Sequence, residues 1–158
     1  MAQTDGAKAE ALASTFFPPP PNTSSVPTAY DYDAPIGLFR KFTREDLVKV
    51  ISGLHLYKAT GPDGIPNVVY ARCQDVLVPR LLPIFNAAVI MGFYYDPWRL
   101  FTTVVLRKPG KPDYAIPKAY RPIALVDTAA KILSALVTEQ TLRLLESNNL
   151  LPEMAFGG

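Results

Sequence analysis

Between Phe101 and Val126 the sequence leaves helical spacing and commits to a hairpin. "FTTVVLR", from about Phe101 to Arg107, is compact and rich in β-branched side chains, which suits a strand. "RPIALV" reads as a second short strand. The segment between them carries prolines and Gly110, which interrupt both helices and strand ladders. A loop of about a dozen residues inside a compact domain is usually functional or mobile. Helical patterns flank the hairpin on both sides, so the fold class is α+β and mostly helical.

The same segment concentrates charge. Arg107, Lys108, Lys111, Lys118 and Arg121 face only Asp113, five cations against one anion, whereas the whole chain is only +2. The basic character therefore belongs to this segment. On charge alone two readings stand: a solvated basic surface, or cations held toward an anionic ligand. Arg121 sits at the loop exit between Tyr120 and Pro122, which restricts a planar five-donor fork suited to phosphate oxygens.

Upstream, "AKAEALASTFF" predicts a short amphipathic helix with Leu12 and Phe16 four apart. "PPPPNTSSVPTAYDYDAP" can neither continue a helix nor pair as a central strand. A polyproline linker is the reading, with an SH3-type ligand as rival. "FTREDLVKVISGL" is a helix capped by Thr43, with Glu45 and Asp46 at the positive end of its dipole. Its buried stripe is Leu47, Val50, Ile51 and Leu54.

Gly61-Pro62-Asp63-Gly64 is a turn, with Pro66 opening the helix that follows. Cys73 falls in that helix's apolar set and is expected as a buried structural thiol. "PRLLPIFNAAVIMG" reads as another helix, with Leu82, Phe85, Ala88 and Val89 inward and Gly92 as its stop. Trp98 is expected to pack under the strand entrance. "DTAAKILSALVTEQTLRLLESNN" is the last helix, capped by Asp127 or Thr128 and stopped by Asn148 and Asn149. Its apolar stripe runs through Ile132, Leu133, Leu136, Val137 and Leu144. The domain boundaries are accordingly 1–17 for an N-terminal helix or tail, 18–42 for a proline-rich linker, and 43–158 for the remainder.

Several function classes are excluded or disfavoured. No apolar run approaches the ~20 residues of a membrane span, and no secretory pattern opens the sequence, so an intracellular, membrane-free protein is expected, nucleus or cytoplasm unresolved. Cys73 and His55 are the sole residues of their types, so a cysteine metal cluster within the chain is ruled out and a zinc site has no motif. His55 is expected as a surface or satisfied histidine.

Five blocks, "YKATGPDGIPNVVY", "FNAAVIMGFYYDPWR", "TTVVLRKPGKPDYAIPKAYRPIAL", "AKILSALVTEQ" and "LLPEMAFGG", stand in the order found in reverse transcriptases of non-LTR (LINE-like) retrotransposons. The chain is similar to the fungal members, including the "AEALASTFFPPPP" lead-in. The resemblance implies the fingers subdomain of an RNA-directed DNA polymerase, with the KPG…YRPI block, residues 108–123, as the fingertip hairpin. Arg121 resembles the family's arginine on the triphosphate of the incoming dNTP, Lys108 its partner lysine, and Lys111 a helper. Lys118 and Arg107 are the expected nucleic-acid contacts. The partners implied are an RNA template and a DNA primer.

The family's chemistry needs two metal ions held by palm aspartates, one in a strand beyond the last of these blocks and two in a Tyr-x-Asp-Asp turn. No adjacent aspartates occur in this sequence, and Asp127 reads as a helix cap rather than a palm aspartate. The resemblance therefore implies an incomplete reverse transcriptase domain, with palm, thumb and endonuclease regions missing. No residue of this chain is assigned to catalysis, Mg²⁺ is expected only with the palm, and enzymatic activity of the chain alone stays open. The alternatives are a non-catalytic basic module for RNA or protein, or the product of a decayed element.

Overall fold

The computed structural model describes residues 4–23, 29, 34, 35, 37 and 39–151. Met154 and Phe156, with the rest of the "PEMAFGG" end, lie outside the described residues, as does part of the expected linker. In order, the elements are α1 (Asp5–Phe16), α2 (Arg44–Ser52), α3 (Asn67–Arg72), α4 (Gln74–Ile90), β1 (Phe101–Arg107), β2 (Tyr120–Val126) and α5 (Thr128–Ser147). Short 3₁₀ turns at Asp96–Arg99 and Pro117–Ala119 precede the two strands. The strands form a two-stranded sheet, giving a mixed α and β architecture in which helix predominates. Two compact units result: Met1–Asp33 with Thr103–Ala124, and Ala34–Thr102 with Leu125–Gly158.

The second unit holds the apolar core. α2 starts where its sequence chemistry requires. The Thr43 hydroxyl accepts the Asp46 N–H at 3.3 Å, and the Asp46 carboxylate accepts the Thr43 N–H at 2.9 Å. This reciprocal box satisfies two donors that a helix start would otherwise leave orphaned. Leu47 and Ile51, one turn apart, are fully buried, and Val50 and Leu54 pack partly against them. Phe85 from α4 and Ile132, Leu133 and Leu136 from α5 complete the centre. Each such aliphatic side chain contributes roughly 1.5–3 kcal/mol by leaving water. Trp98 packs edge-on against Phe85, 5.7 Å between ring centroids, and against Tyr94 and Tyr95.

A clasp not legible from the sequence joins the entrance of α2 to α4. The Asn86 amide accepts the Phe42 N–H at 2.8 Å and donates to the Phe42 carbonyl at 3.1 Å. The single side chain thereby pairs both backbone groups of a buried residue.

Four expectations are corrected here. The helix after Pro66 ends at Arg72, and α4 begins at Gln74, so Pro79 and Pro83 lie inside one long helix rather than at the start of a new one. Pro66 itself stands just ahead of α3, in extended geometry. Cys73 marks the break between α3 and α4, at φ −107° and ψ 28°, and is exposed rather than buried. At a kink between helices its side chain leaves the apolar stripe that helical periodicity assigned it. Val137 is 40 % exposed, and Ala129 and Ala130 take its place in the buried face of α5.

In the first unit, α1 presents Leu12 and Phe16, both half-buried, as its spacing predicts. These side chains and Lys8 line grooves shared with Thr103, Val105, Ile116 and Tyr120 of the hairpin. Ala119 is the buried residue of the loop's 3₁₀ turn. Among the described residues, no helix is long and apolar enough to cross a membrane.

Candidate functional site

Strand pairing decides where the basic residues point. The Lys108 N–H donates to the Ala119 carbonyl at 2.8 Å, a register that sets Arg107 opposite Tyr120 and Leu106 opposite Arg121. Side chains alternate across a strand. Thr103, Val105, Arg107 and Tyr120 therefore share one face, which is the face lined by α1. Val104, Leu106, Lys108, Arg121 and Ile123 share the other. On that open face Val104, Leu106 and Ile123 are 38 %, 48 % and 40 % exposed.

Lys108 and Arg121, the two residues expected to cooperate, thus emerge on the same side of the hairpin. Arg121 is exposed, and its side chain has no hydrogen bond or ion pair to another described residue. Lys108 is half-buried, and its ammonium donates to the Lys118 carbonyl at 2.9 Å. A lysine ammonium has three donors, so two remain for a ligand. Lys111 and the Lys118 side chain are exposed, away from the paired strands. Arg107 is not brought together with Arg121. It lies on the opposite face with its guanidinium 5.3 Å from the centroid of the Tyr114 ring, a cation–π contact.

The loop is closed on itself by two tyrosines that sequence reasoning passed over. The Tyr114 hydroxyl donates to the Lys108 carbonyl at 2.8 Å, and the Tyr120 hydroxyl donates to the Tyr114 carbonyl at 2.9 Å. Their rings meet edge-on, centroids 6.2 Å apart. Asp113, the lone acid of the segment, accepts the Ala115 N–H at 2.7 Å and turns the chain back toward Pro117. Gly110 takes φ +71°, the left-handed geometry that the tip of this turn requires. Spacing alone announces neither bond, for the two tyrosines stand six apart with only Pro117 between them.

The second unit carries another polar cluster, at the start of α5. Asp127 occupies the cap position, yet its side chain bonds no N–H of that helix. It accepts the Asp63 N–H at 3.1 Å, from the Gly61–Gly64 turn. Thr128 donates to Asn67 at 2.7 Å, and Asn67 donates to the His55 carbonyl at 2.8 Å. Burial pushes the nearby Tyr70 hydroxyl above its ordinary value, with the Asp63 and Asp127 carboxylates adding to the shift and the Ala129 N–H opposing it. Every member of this cluster is occupied in holding loop to helix, which is a structural task. Among the described residues no group of three His, Cys, Asp or Glu side chains converges on a point fit for a metal ion.

Comparison with known proteins follows the same direction as the hairpin. No family model matches the chain. It is 28% identical over 113 residues to a probable RNA-directed DNA polymerase from transposon BS of Drosophila melanogaster, covering 72% of this chain and 12% of that protein. It is 29% identical over 129 residues to a probable RNA-directed DNA polymerase from transposon X-element of the same fly, covering 82% and 14%. The RNA-directed DNA polymerase from mobile element jockey is 27% identical over 115 residues, covering 73% and 12%. The chain therefore spans about one eighth of the length of the curated relatives it matches. Over that partial region it is homologous to RNA-directed DNA polymerases of transposable elements.

Proposed function

We propose that this chain is the fingers portion of the RNA-directed DNA polymerase of a non-LTR retrotransposon of the fungal type, and that its hairpin is the fingertip meeting the incoming dNTP. The observation that carries the reading is the placement of Arg121: exposed, its side chain without a described partner, and on the face of the hairpin that the strand register also gives to Lys108. A guanidinium so placed offers two parallel N–H donors to phosphate oxygens, and Lys108 adds a point charge beside it. Lys111 extends the cationic side of the loop toward the same triphosphate. Lys118 at the loop and Arg107, exposed on the α1 side of the hairpin, meet the phosphates of the RNA template or DNA primer.

In this reading the chain binds and orients, and the remaining palm, thumb and endonuclease regions are its partners. Mg²⁺ belongs with acidic residues elsewhere in the polymerase, where it supplies charge stabilisation to the transferring phosphoryl group. The alternative is a non-catalytic basic module that uses Lys111, Lys118 and Arg107 for RNA alone.

The test joins the chain in frame to the rest of a polymerase of this group and measures steady-state nucleotide incorporation. Charge-assisted hydrogen bonds contribute on the order of 1.5–3 kcal/mol, so Arg121→Ala is expected to lower kcat/KM for dNTP by roughly 10- to 100-fold. Arg121→Lys keeps charge but not the fork and recovers part of the loss. Unchanged KM and kcat in Arg121→Ala would overturn the fingertip reading and leave the RNA-binding one.

A further inference from the structure

We infer that Tyr114 is a positioning residue for the fingertip, holding the basic loop folded so that Arg121 and Lys108 present their donors together; the inference rests on the reading of Arg121 given above. Five cations on one short loop repel one another and favour an open, extended loop. Something must oppose that repulsion before a ligand arrives, or the ligand's binding energy is spent on closing the loop.

Tyr114 is the residue through which the opposing contacts pass. Its hydroxyl holds the Lys108 carbonyl at 2.8 Å, one residue beyond the end of β1. Its carbonyl receives the Tyr120 hydroxyl at 2.9 Å, from the residue adjoining Arg121. Its ring lies under the Arg107 guanidinium, which keeps that cation on the covered face and away from the Lys108–Arg121 side. Both strand ends that carry the grip are therefore tied to one side chain and its own backbone. The Lys108 ammonium on the Lys118 carbonyl, at 2.9 Å, closes the same ring from the other side. Since Tyr114 faces α1 and the loop interior, not the open strand face, it touches no ligand bound by Arg121 and acts through geometry alone.

The experiment uses the 158-residue chain, with inorganic triphosphate as the probe and the Arg121 side-chain N–H followed by NMR. Tyr114→Phe keeps the ring and removes the hydroxyl, and is expected to weaken triphosphate binding by about 3- to 10-fold. Tyr114→Leu, which also frees Arg107, is expected to weaken it further. Tyr120→Phe should resemble Tyr114→Phe, and the double variant should lose less than the product of the two, because both bonds close one loop. Binding of single-stranded poly(U), carried by outward cations, should be unchanged in Tyr114→Phe, a split that general loosening of the fold would not produce. If Arg121→Ala abolishes triphosphate binding while Tyr114→Phe leaves it unaltered, the positioning role is overturned and the role of Arg121 stands. If Arg121→Ala itself has no effect, the fingertip reading fails and the inference falls with it.

Discussion

The Asp127 carboxylate receives the backbone N–H of Asp63 at 3.1 Å, across 64 positions of sequence, and binds the glycine-rich turn to the start of α5. Gly61 makes this approach possible. A Cβ at position 61 would stand 2.4 Å from the backbone nitrogen of Asp127, a distance no real side chain tolerates, and that backbone cannot swing aside as a flexible side-chain end would.

Gly61→Ala is therefore expected to destabilise the chain by about 1–3 kcal/mol, the usual cost of forcing atoms into a packed site. Gly64→Ala meets no neighbouring atom and is strained only by its φ of +68°, so its cost should be smaller, about 1 kcal/mol. Urea unfolding of both variants beside wild type checks the order, and an equal loss in the two would contradict the close-contact account.

Asp46 carries a pH signature. Burial on its own would raise its carboxyl, but the Thr43 N–H and hydroxyl and the Arg40 guanidinium outweigh that and hold it below its ordinary value. A carboxyl that is the stronger acid when folded stabilises fully above its unfolded pKa of about 4. That contribution is lost as pH falls through the lower folded value. Asp46→Asn is expected to cost about 1 kcal/mol at pH 7 through the weakened box at the helix start. Between pH 7 and pH 3 the variant should lose less stability than wild type, measured by urea unfolding at each pH.

Lys118 offers a test of the nucleic-acid contacts that is separate from nucleotide binding. Its ammonium is exposed, and the carbonyl that holds Lys108 is backbone and survives substitution. Lys118→Ala is expected to weaken RNA binding and to reduce the slope of log affinity against log salt by roughly 0.7, the share of one phosphate on a single strand. Fluorescence anisotropy with a labelled single-stranded RNA across a salt series reads both quantities. An unchanged slope would remove Lys118 from the interface.

Association of the chain with itself is the fourth expectation. Phe93 and Val137, 56 % and 40 % exposed, border an open apolar groove with Val89, Tyr94 and Leu133. Exposed patches of this kind promote aggregation when contiguous over several hundred Å². Phe93→Ser is expected to shift light scattering toward monomer with little change in the unfolding midpoint, because that ring is not part of the core.

Local chemistry was legible in the sequence where it acts within a turn or two. Thr43 and the acidic residues after it announce α2, and β-branching with flanking proline and glycine announces β1 and β2. Asn148 and Asn149 announce the end of α5, where Asn149 takes φ 52°. Relationships over long separations were not legible. Periodicity ran through Cys73 because Val69, Cys73 and Leu77 are spaced four apart, and nothing local records that the helix breaks there. Asp127 was legible as a cap residue by type, but its partner lies in a turn that only the folded chain brings near. The candidate site divides in the same way. The two-residue period of strands places Lys108 and Arg121 on one side, whereas the cross-loop bonds of Tyr114 depend on a loop path that no spacing rule encodes.

Because Arg121 owes its direction to strand parity, insertions and deletions should not be tolerated evenly along the hairpin. The Tyr114 bonds anchor positions 108, 114 and 120, leaving the tip between Pro109 and Asp113 outside the anchored ring. Lengthening that tip adds little closure cost, about 0.6 kcal/mol per doubling, and leaves the grip where it is. One residue inserted between Tyr120 and Arg121 would instead turn the guanidinium to the α1 side. Copies of such a gene can drift in length at the tip, while a single-codon slip in β2 silences the grip without disturbing a buried residue of the helical core.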